Sequence, residues 1–291
     1  LRNYKYMKKY AVLSMDIEDW YHLDYIKETT DSDRNYSMLD GFDNFQNILI
    51  EQKLPASFFV LSTLVNEFKQ RLHKDVIKSS DFNSHGIRHV KPLSLTVKDF
   101  KNEIIQSKKK IEDSLSKPVN GFRAPCFNLN DEYLKILLDN NYLFDSSKIE
   151  FKGHPLYGNI EIPNFKEVCK NIYKYDNFFE FEIPTQNFLN RNIPISGGGY
   201  LRIFPLFFLK NLLKKFINNN NFFCFYLHPF ELSKKNNPDF LKSQSFKINR
   251  RFKTGRTTSI KKLKNIINFL KQNEFEFINF SDLRSVLINN E

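Results

Sequence analysis

Two of the chain's six histidines stand four residues apart in Ser84-His85-Gly86-Ile87-Arg88-His89. Imidazoles at that spacing point the same way from a single helical turn, which suits chelation of a metal ion. Solvated surface histidines give the same pattern, so further ligands are needed to make a site. Carboxylates are at hand in Asp16-Ile17-Glu18-Asp19-Trp20, directly after the apolar run YAVLSM at 10–15. Acids at the end of a buried strand are costly unless a cation compensates them. Phe122-Arg123-Ala124-Pro125-Cys126 supplies an arginine just before a rigid turn, and Phe225-Tyr226-Leu227-His228-Pro229 puts a histidine after another apolar run. His85, His89 and one carboxylate make a facial nitrogen and oxygen set for Zn2+ or a similar divalent ion. A second carboxylate, Arg123 and His228 are then left over, the parts that metal-assisted hydrolysis requires. Taken singly, each has a bland alternative: an acidic solvated loop, a surface arginine, a capped strand end.

These residues need a scaffold to bring them together. The runs at 10–15, 56–61, 222–227 and 275–280 are apolar without strict alternation, as strands of a parallel sheet covered on both faces require. Helical patterns lie between them. Thr96-Val97-Lys98-Asp99 resembles a capping box ahead of Phe100, Ile104, Ile111 and Leu115. A second helix is expected after Asn130, with Tyr133, Leu134, Leu137 and Leu138, and a third near Ser259, with Leu263, Ile266, Ile267 and Leu270. Strands alternating with helices predict an α/β architecture, either open sheet or barrel, with active-site residues at the carboxyl edge of the sheet. Residues 148–200 differ: four prolines and Gly197-Gly198-Gly199 with weak periodicity predict a loop-rich insertion with short strands.

At 291 residues, 41% hydrophobic and with 31 Phe, the chain can bury one large core. The balance of 44 Lys+Arg against 33 Asp+Glu gives +11, but the basic residues are dispersed and no nucleic-acid motif organises them, so no nucleic-acid partner is expected. Cys126, Cys169 and Cys224 form no CxxC pair, which argues against a disulfide framework and for a reducing compartment. No apolar run is long enough to span a membrane, and no signal-peptide core precedes the first acids; the expectation is cytoplasmic. The segment 204–216 is apolar with a basic face. It reads first as a helix packed on a sheet and leaves peripheral membrane contact open. His22 and His73 read as ordinary loop or helix residues.

The ordered set SMDIEDW, SHGIRH, GFRAPCF, FDSS and YLHPFEL resembles the polysaccharide deacetylases of carbohydrate esterase family 4, the NodB-homology domain. GGGY at 197–200 with Arg202, and Arg250-Arg251-Phe252, are similar to the branch associated with exopolysaccharide and surface-glycan gene clusters. The resemblance covers nearly the whole chain and implies a single deformed (β/α) barrel domain over 8–287, with 1–7 as an N-terminal tail. It also implies a metal-dependent hydrolase that removes an N-acetyl group from an amino sugar or glycan. Asp16 corresponds to the catalytic base, and Glu18, with Asp19 as competitor, to the metal carboxylate; residues 16 and 18 of an extended strand face the same way. His85 and His89 correspond to the metal histidines and Zn2+ to the cofactor. Arg123 matches the arginine that holds the base, the backbone N–H of Cys126 an oxyanion donor, and His228 the general acid, with Asp145 orienting it and raising its pKa. Tyr200 and His154 are candidate groove residues. Removal of another N-acyl group such as formyl, or a catalytically silent glycan-binding module, are the rival functions.

Overall fold

The computed structural model describes residues 8–26, 29–151 and 155–289. Its strands are β1 (Lys9–Ile17), β2 (Ser57–Val60), β3 (Asp81–Ser84), β4 (Val119–Phe122), β5 (Phe144–Asp145), β6 (Lys166–Cys169), β7 (Ile172–Tyr175), β8 (Phe178–Phe181), β9 (Thr185–Phe188), β10 (Arg191–Pro194), β11 (Phe222–Leu227) and β12 (Phe275–Phe277). Ten of them form one sheet in the order β11-β1-β2-β3-β4-β5-β8-β7-β6, with β12 also on β1; β9 and β10 make a separate hairpin. Pairing from β11 to β8 is parallel throughout. Between β8 and β11 no strand ladder runs, but Ile195 N donates to Pro184 O at 3.3 Å and Tyr226 N to Ser196 O at 2.9 Å. The curled sheet with these irregular bridges is the expected deformed (β/α) barrel.

Strand alternation gives the barrel its two faces. Ala11, Leu13, Met15 and Ile17 of β1 point outward into the core shared with the helices. Tyr10 and Val12 point inward to a second cluster with Phe59, Phe144, Phe179, Phe181, Phe222 and Phe280. Phenylalanine is the commonest residue of this interior: the Phe181 and Phe280 rings are 4.8 Å apart and Phe144 and Phe181 5.6 Å. Further along the inward row come Ser14 and Asp16, and after the strand Glu18, where the interior changes from aromatic to polar.

The helices follow the sequence pattern. Val97–Leu115 is capped by Thr96 and Asp131–Asp139 by Asn130, each burying the apolar face expected. Arg256–Gln272 buries Leu263, Ile266, Ile267 and Leu270, and starts three residues ahead of Ser259 after Gly255. Leu206–Ile217 buries Leu209, Leu212, Leu213 and Phe216, so it is a helix packed on the sheet, with Phe207 left exposed. The run at 275–280 is a strand only to Phe277. Asn279 Oδ1 accepts from Asp282 N at 2.8 Å, and this cap turns the chain into the helix Phe280–Asn289. Residues 148–200 carry short strands between loops, as expected, and some of these join the main sheet: β8 continues the parallel array, pairing Phe144↔Phe179, and β7 and β6 extend it antiparallel. Among the described residues no helix is long and apolar enough to cross a membrane.

Gly41, near the start of the helix Asp40–Gln52, meets the turn Pro229–Leu232 so closely that an added Cβ would lie 1.7 Å from Pro229 O. Backbone cannot swing aside, so Gly41→Ala should cost about 1–3 kcal/mol. The expected reading is a lower urea midpoint, with Gly199→Ala close to wild type because a Cβ there meets nothing within 4 Å. Equal midpoints for both variants would contradict this packing.

Candidate active site

Because β1, β3, β4, β5 and β11 run parallel, their carboxyl ends open at one mouth. Glu18 follows β1, His85 follows β3, Arg123 follows β4, Asp145 ends β5 and His228 follows β11. A cleft of about 290 Å³ lies there, with Asp16, Glu18, His85, His89, Cys126, Tyr200 and His228 among its walls.

Arg123 organises the floor. Its side chain is fully buried; Nη1 donates to Asp16 Oδ1 at 2.7 Å and to Ser14 Oγ at 2.9 Å. Nε donates to Ser146 O at 3.1 Å and Nη2 to Ser146 Oγ at 3.0 Å, while the guanidinium lies 4.0 Å from the Phe59 ring centroid. One oxygen of Asp16 is thereby fixed; the other, Oδ2, lies 3.9 Å from His228 Nε2 in the cleft. The backbone of the same arginine sets a histidine: His85 Nδ1 is 2.8 Å from Arg123 O. A carbonyl can only accept, so Nδ1 carries the hydrogen and Nε2 keeps its lone pair.

His85 and His89 do not share a helical turn. The segment is a loop with left-handed backbone at Gly86 (φ 85°) and His89 (φ 59°), and that reversal brings the imidazole centroids to 5.2 Å. Glu18, His85 and His89 offer ligand atoms that all lie within 4.8 Å of one another. Glu18 Oε2 is 2.7 Å from His89 Nε2 yet is buried without a hydrogen-bond donor. Two electron-pair donors this close, one of them unsatisfied, fit a shared cation better than a hydrogen bond. Burial acts to raise the Glu18 carboxyl, but the charge and contact of His89, with His228 and His85, outweigh it and hold it well below the usual carboxylate range. Burial, against the nearby carboxylates, lowers His85 to about 4, so its imidazole is neutral as a ligand must be. Asp19 is excluded from this set. It faces the other way, and its Oδ1 accepts from Trp20 N at 2.7 Å and Met38 N at 2.9 Å, tying down the loop after β1.

The carboxylate that orients His228 is Glu231, not Asp145. Glu231 Oε2 is 3.3 Å from His228 Nδ1 and accepts from His228 N at 3.0 Å. Arg202 Nε donates to Glu231 Oε1 at 3.2 Å, and Arg202 Nη1 donates to the carbonyls of Arg251, Phe252 and Thr254. Gly198 is part of this arrangement, since a Cβ there would overlap the Glu231 carboxylate. Asp145 cannot reach His228 because both its oxygens are held by Ser147, from N at 2.7 Å and Oγ at 2.9 Å. It lies against Glu180 behind Arg123. Burial raises Asp145 to about 6, and burial with the Asp145 charge raises Glu180 well above the ordinary range. The sequence does carry a signal for Glu231, three residues after His228 in YLHPFEL, but only the fold separates it from Asp145.

Cys126 reaches the cleft on left-handed backbone (φ 56°), and burial with the Glu18 charge pushes its thiol up to about 12. The sulfur therefore stays protonated. Tyr200 lines the cleft; His154 lies outside the described residues. His22 Nδ1 accepts from Asp19 N at 3.0 Å and His73 Nδ1 from Asp75 N at 3.3 Å, both structural caps.

Burial lowers His228, but the hydrogen bond to Glu231 and the charges of Glu18, Glu231 and Asp16 more than compensate and raise it to about 9. A folded-state value above the ordinary 6.5 means that protonated His228 stabilises the fold fully below pH 6.5, and that this contribution is lost as the pH rises through about 9. In metal-free protein, Glu231→Gln should move the His228 titration down toward its ordinary value, as followed by NMR of the imidazole. An unchanged midpoint would remove Glu231 as the source of the shift.

Comparison with known proteins agrees with this architecture. The family model for polysaccharide deacetylase matches residues 33–144, and a second, a domain of unknown function (DUF3473), matches 146–284. The peptidoglycan deacetylase of Helicobacter pylori is 22% identical over 117 residues, 40% of this chain and 40% of that protein, so the chain aligns with well under half of the curated relative's length. Among solved structures, a candidate polysaccharide deacetylase from Mycobacterium smegmatis has a TM-score of 0.63 at 14% identity, covering 97% of this chain and 91% of that one. A CE4 family pseudoenzyme from Bacillus anthracis has a TM-score of 0.54 at 14% identity, covering 96% and 66%. At these identities the structural likeness speaks for the fold. With the motifs in order around one mouth, residues 33–144 carry a polysaccharide deacetylase domain, and the fold of the chain is similar to that of solved deacetylase structures.

Proposed function

We propose that the protein is a metal-dependent N-deacetylase acting on an amino sugar of a glycan, in the making of a surface polysaccharide. The observation that carries the reading is the convergence of an Arg-held carboxylate, a Glu-His-His ligand set and a cationic histidine on one cleft. The family and the Helicobacter pylori relative point to the same reaction class.

Glu18, His85 and His89 would hold a divalent ion, with Zn2+ favoured by two imidazoles and one carboxylate. When bound, such an ion supplies Lewis acidity, polarising a carbonyl and lowering the pKa of water toward neutrality. Arg123 pairs with Asp16 and fixes one of its oxygens, which leaves Oδ2 to take a proton from the attacking water. The backbone N–H of Cys126 is assigned to the oxygen that becomes negative as the amide carbonyl turns tetrahedral. His228, held by Glu231 and protonated at neutral pH, gives Nε2–H to the departing amine as the C–N bond breaks, and acetate and the free amino sugar result. Tyr200 is assigned to the groove that receives the sugar.

The fold also occurs in a protein called a pseudoenzyme, which makes the silent binding module the second reading. Retention of base, ligand and acid positions favours the enzyme. Acetate release from N-acetylglucosamine oligomers, measured with zinc present, discriminates: Asp16→Asn and His228→Ala should each lower kcat/KM by roughly 10²–10⁴-fold. Wild-type protein inactive on every N-acylated sugar tried, or Asp16→Asn as active as wild type, would overturn the assignment.

A further inference from the structure

The charges lining the cleft are almost completely matched. Asp16 pairs with Arg123, Glu231 with Arg202 and His228, and Asp24 with Lys91 at 3.1 Å, while Glu18 belongs with His85 and His89 to the cation-ligand set. Arg251 is the exception: it lines the same cleft, and among the described residues its side chain forms no ion pair. Its guanidinium is nonetheless placed, 4.1 Å from the centroid of the Tyr25 ring. Beneath it Tyr25 Oη is buried with no hydrogen-bond partner among the described residues. Burial pushes that phenol up to about 12, so it remains an O–H donor. The segment that carries Arg251 is pinned from behind. Arg202 holds the carbonyls of Arg251, Phe252 and Thr254, and the Phe252 ring stacks on Phe230 at 5.1 Å.

Arg251 is exposed at the mouth, a stacked and hydrated guanidinium without a paired acid, while the buried Tyr25 hydroxyl has no acceptor among the described residues. We propose that Arg251 and Tyr25 Oη form an anion subsite that selects glycans carrying a carboxylate or phosphate next to the N-acetylated sugar. The subsite rests on the deacetylase reading only for its position beside the reacting sugar. A neutral oligosaccharide would leave the Tyr25 hydroxyl without an acceptor and the Arg251 charge without a counter-ion; an acidic group supplies both, the planar fork meeting its two oxygens. The anion would be read by charge and geometry together, so lysine at position 251 should preserve only part of the selectivity.

The test is built on binding, so that it does not depend on turnover. Zinc-loaded Asp16→Asn protein is titrated calorimetrically with four probes in two pairs: a neutral N-acetylglucosamine tetramer against a tetrasaccharide alternating N-acetylglucosamine with glucuronic acid, and N-acetylglucosamine against N-acetylglucosamine 1-phosphate. The expected result is about 10- to 100-fold tighter binding of an anionic probe than of its neutral counterpart. The carboxylate and phosphate arms tell which source the site prefers. Adding Arg251→Gln should abolish the preference and Arg251→Lys should restore part of it; Tyr25→Phe should weaken it while circular dichroism stays native. Equal binding of neutral and anionic probes, or a preference that survives Arg251→Gln, would overturn the subsite. Failure of hydrolysis on all substrates would instead count against the deacetylase and leave these binding results standing.

Discussion

The buried Arg123 guanidinium is the interaction on which the site depends. It joins β1, through Ser14 and Asp16, to the chain after β5, through Ser146, and it lies on the Phe59 ring of β2. Its own carbonyl fixes the His85 tautomer. A buried ion pair of this kind gains little over a well-packed apolar core, but removing one partner strands the other charge and costs about 3–5 kcal/mol. The arrangement therefore specifies geometry more than it adds stability. The cost of taking Asp16 and Glu18 out of water at the end of a strand is offset by one arginine and by imidazoles, with the aromatic interior below keeping the polar layer at the mouth.

How far this could be read from sequence depended on whether a partner was local. The strands at 10–15 and 222–227, and the caps Thr96 and Asn130, are set by neighbours in the chain, and the structure has them where the pattern places them. The same-face argument for residues 16 and 18 needs only the period of a strand, and the structure turns Glu18 toward His85 and His89 while Asp19 faces the loop after β1. His85 and His89 converge for a reason spacing does not give: a loop with left-handed turns, not a helix. The resemblance assigns Asp145 to His228 and passes over Glu231, and nothing in the sequence shows that the residue close in the chain is the partner while the one ending a strand across the barrel is not. Ser147 occupies Asp145, and Arg202 from the GGGY segment delivers Glu231. Residues 148–200 lacked periodicity because β6 to β8 are short and antiparallel at the sheet's edge, where apolar runs are brief.

Two arginines, Arg123 and Arg202, would thus serve opposite ends of the proposed reaction. The first holds the carboxylate that would take a proton, and the second holds the carboxylate behind the histidine that would give one. The net charge of +11 is dispersed over the surface; inside the cleft it is spent in matched pairs, and this is what makes Arg251, unmatched at the mouth, informative about the substrate.

The central claim is that Glu18, His85 and His89 hold a metal ion. Elemental analysis of the purified protein beside a His85→Ala, His89→Ala double variant tests it without any guess about substrate. The account predicts near-equimolar zinc or another transition metal in the wild type and its loss in the variant, with both proteins folded. A wild type that takes up no metal on reconstitution at neutral pH, or a double variant that keeps its metal, would contradict it.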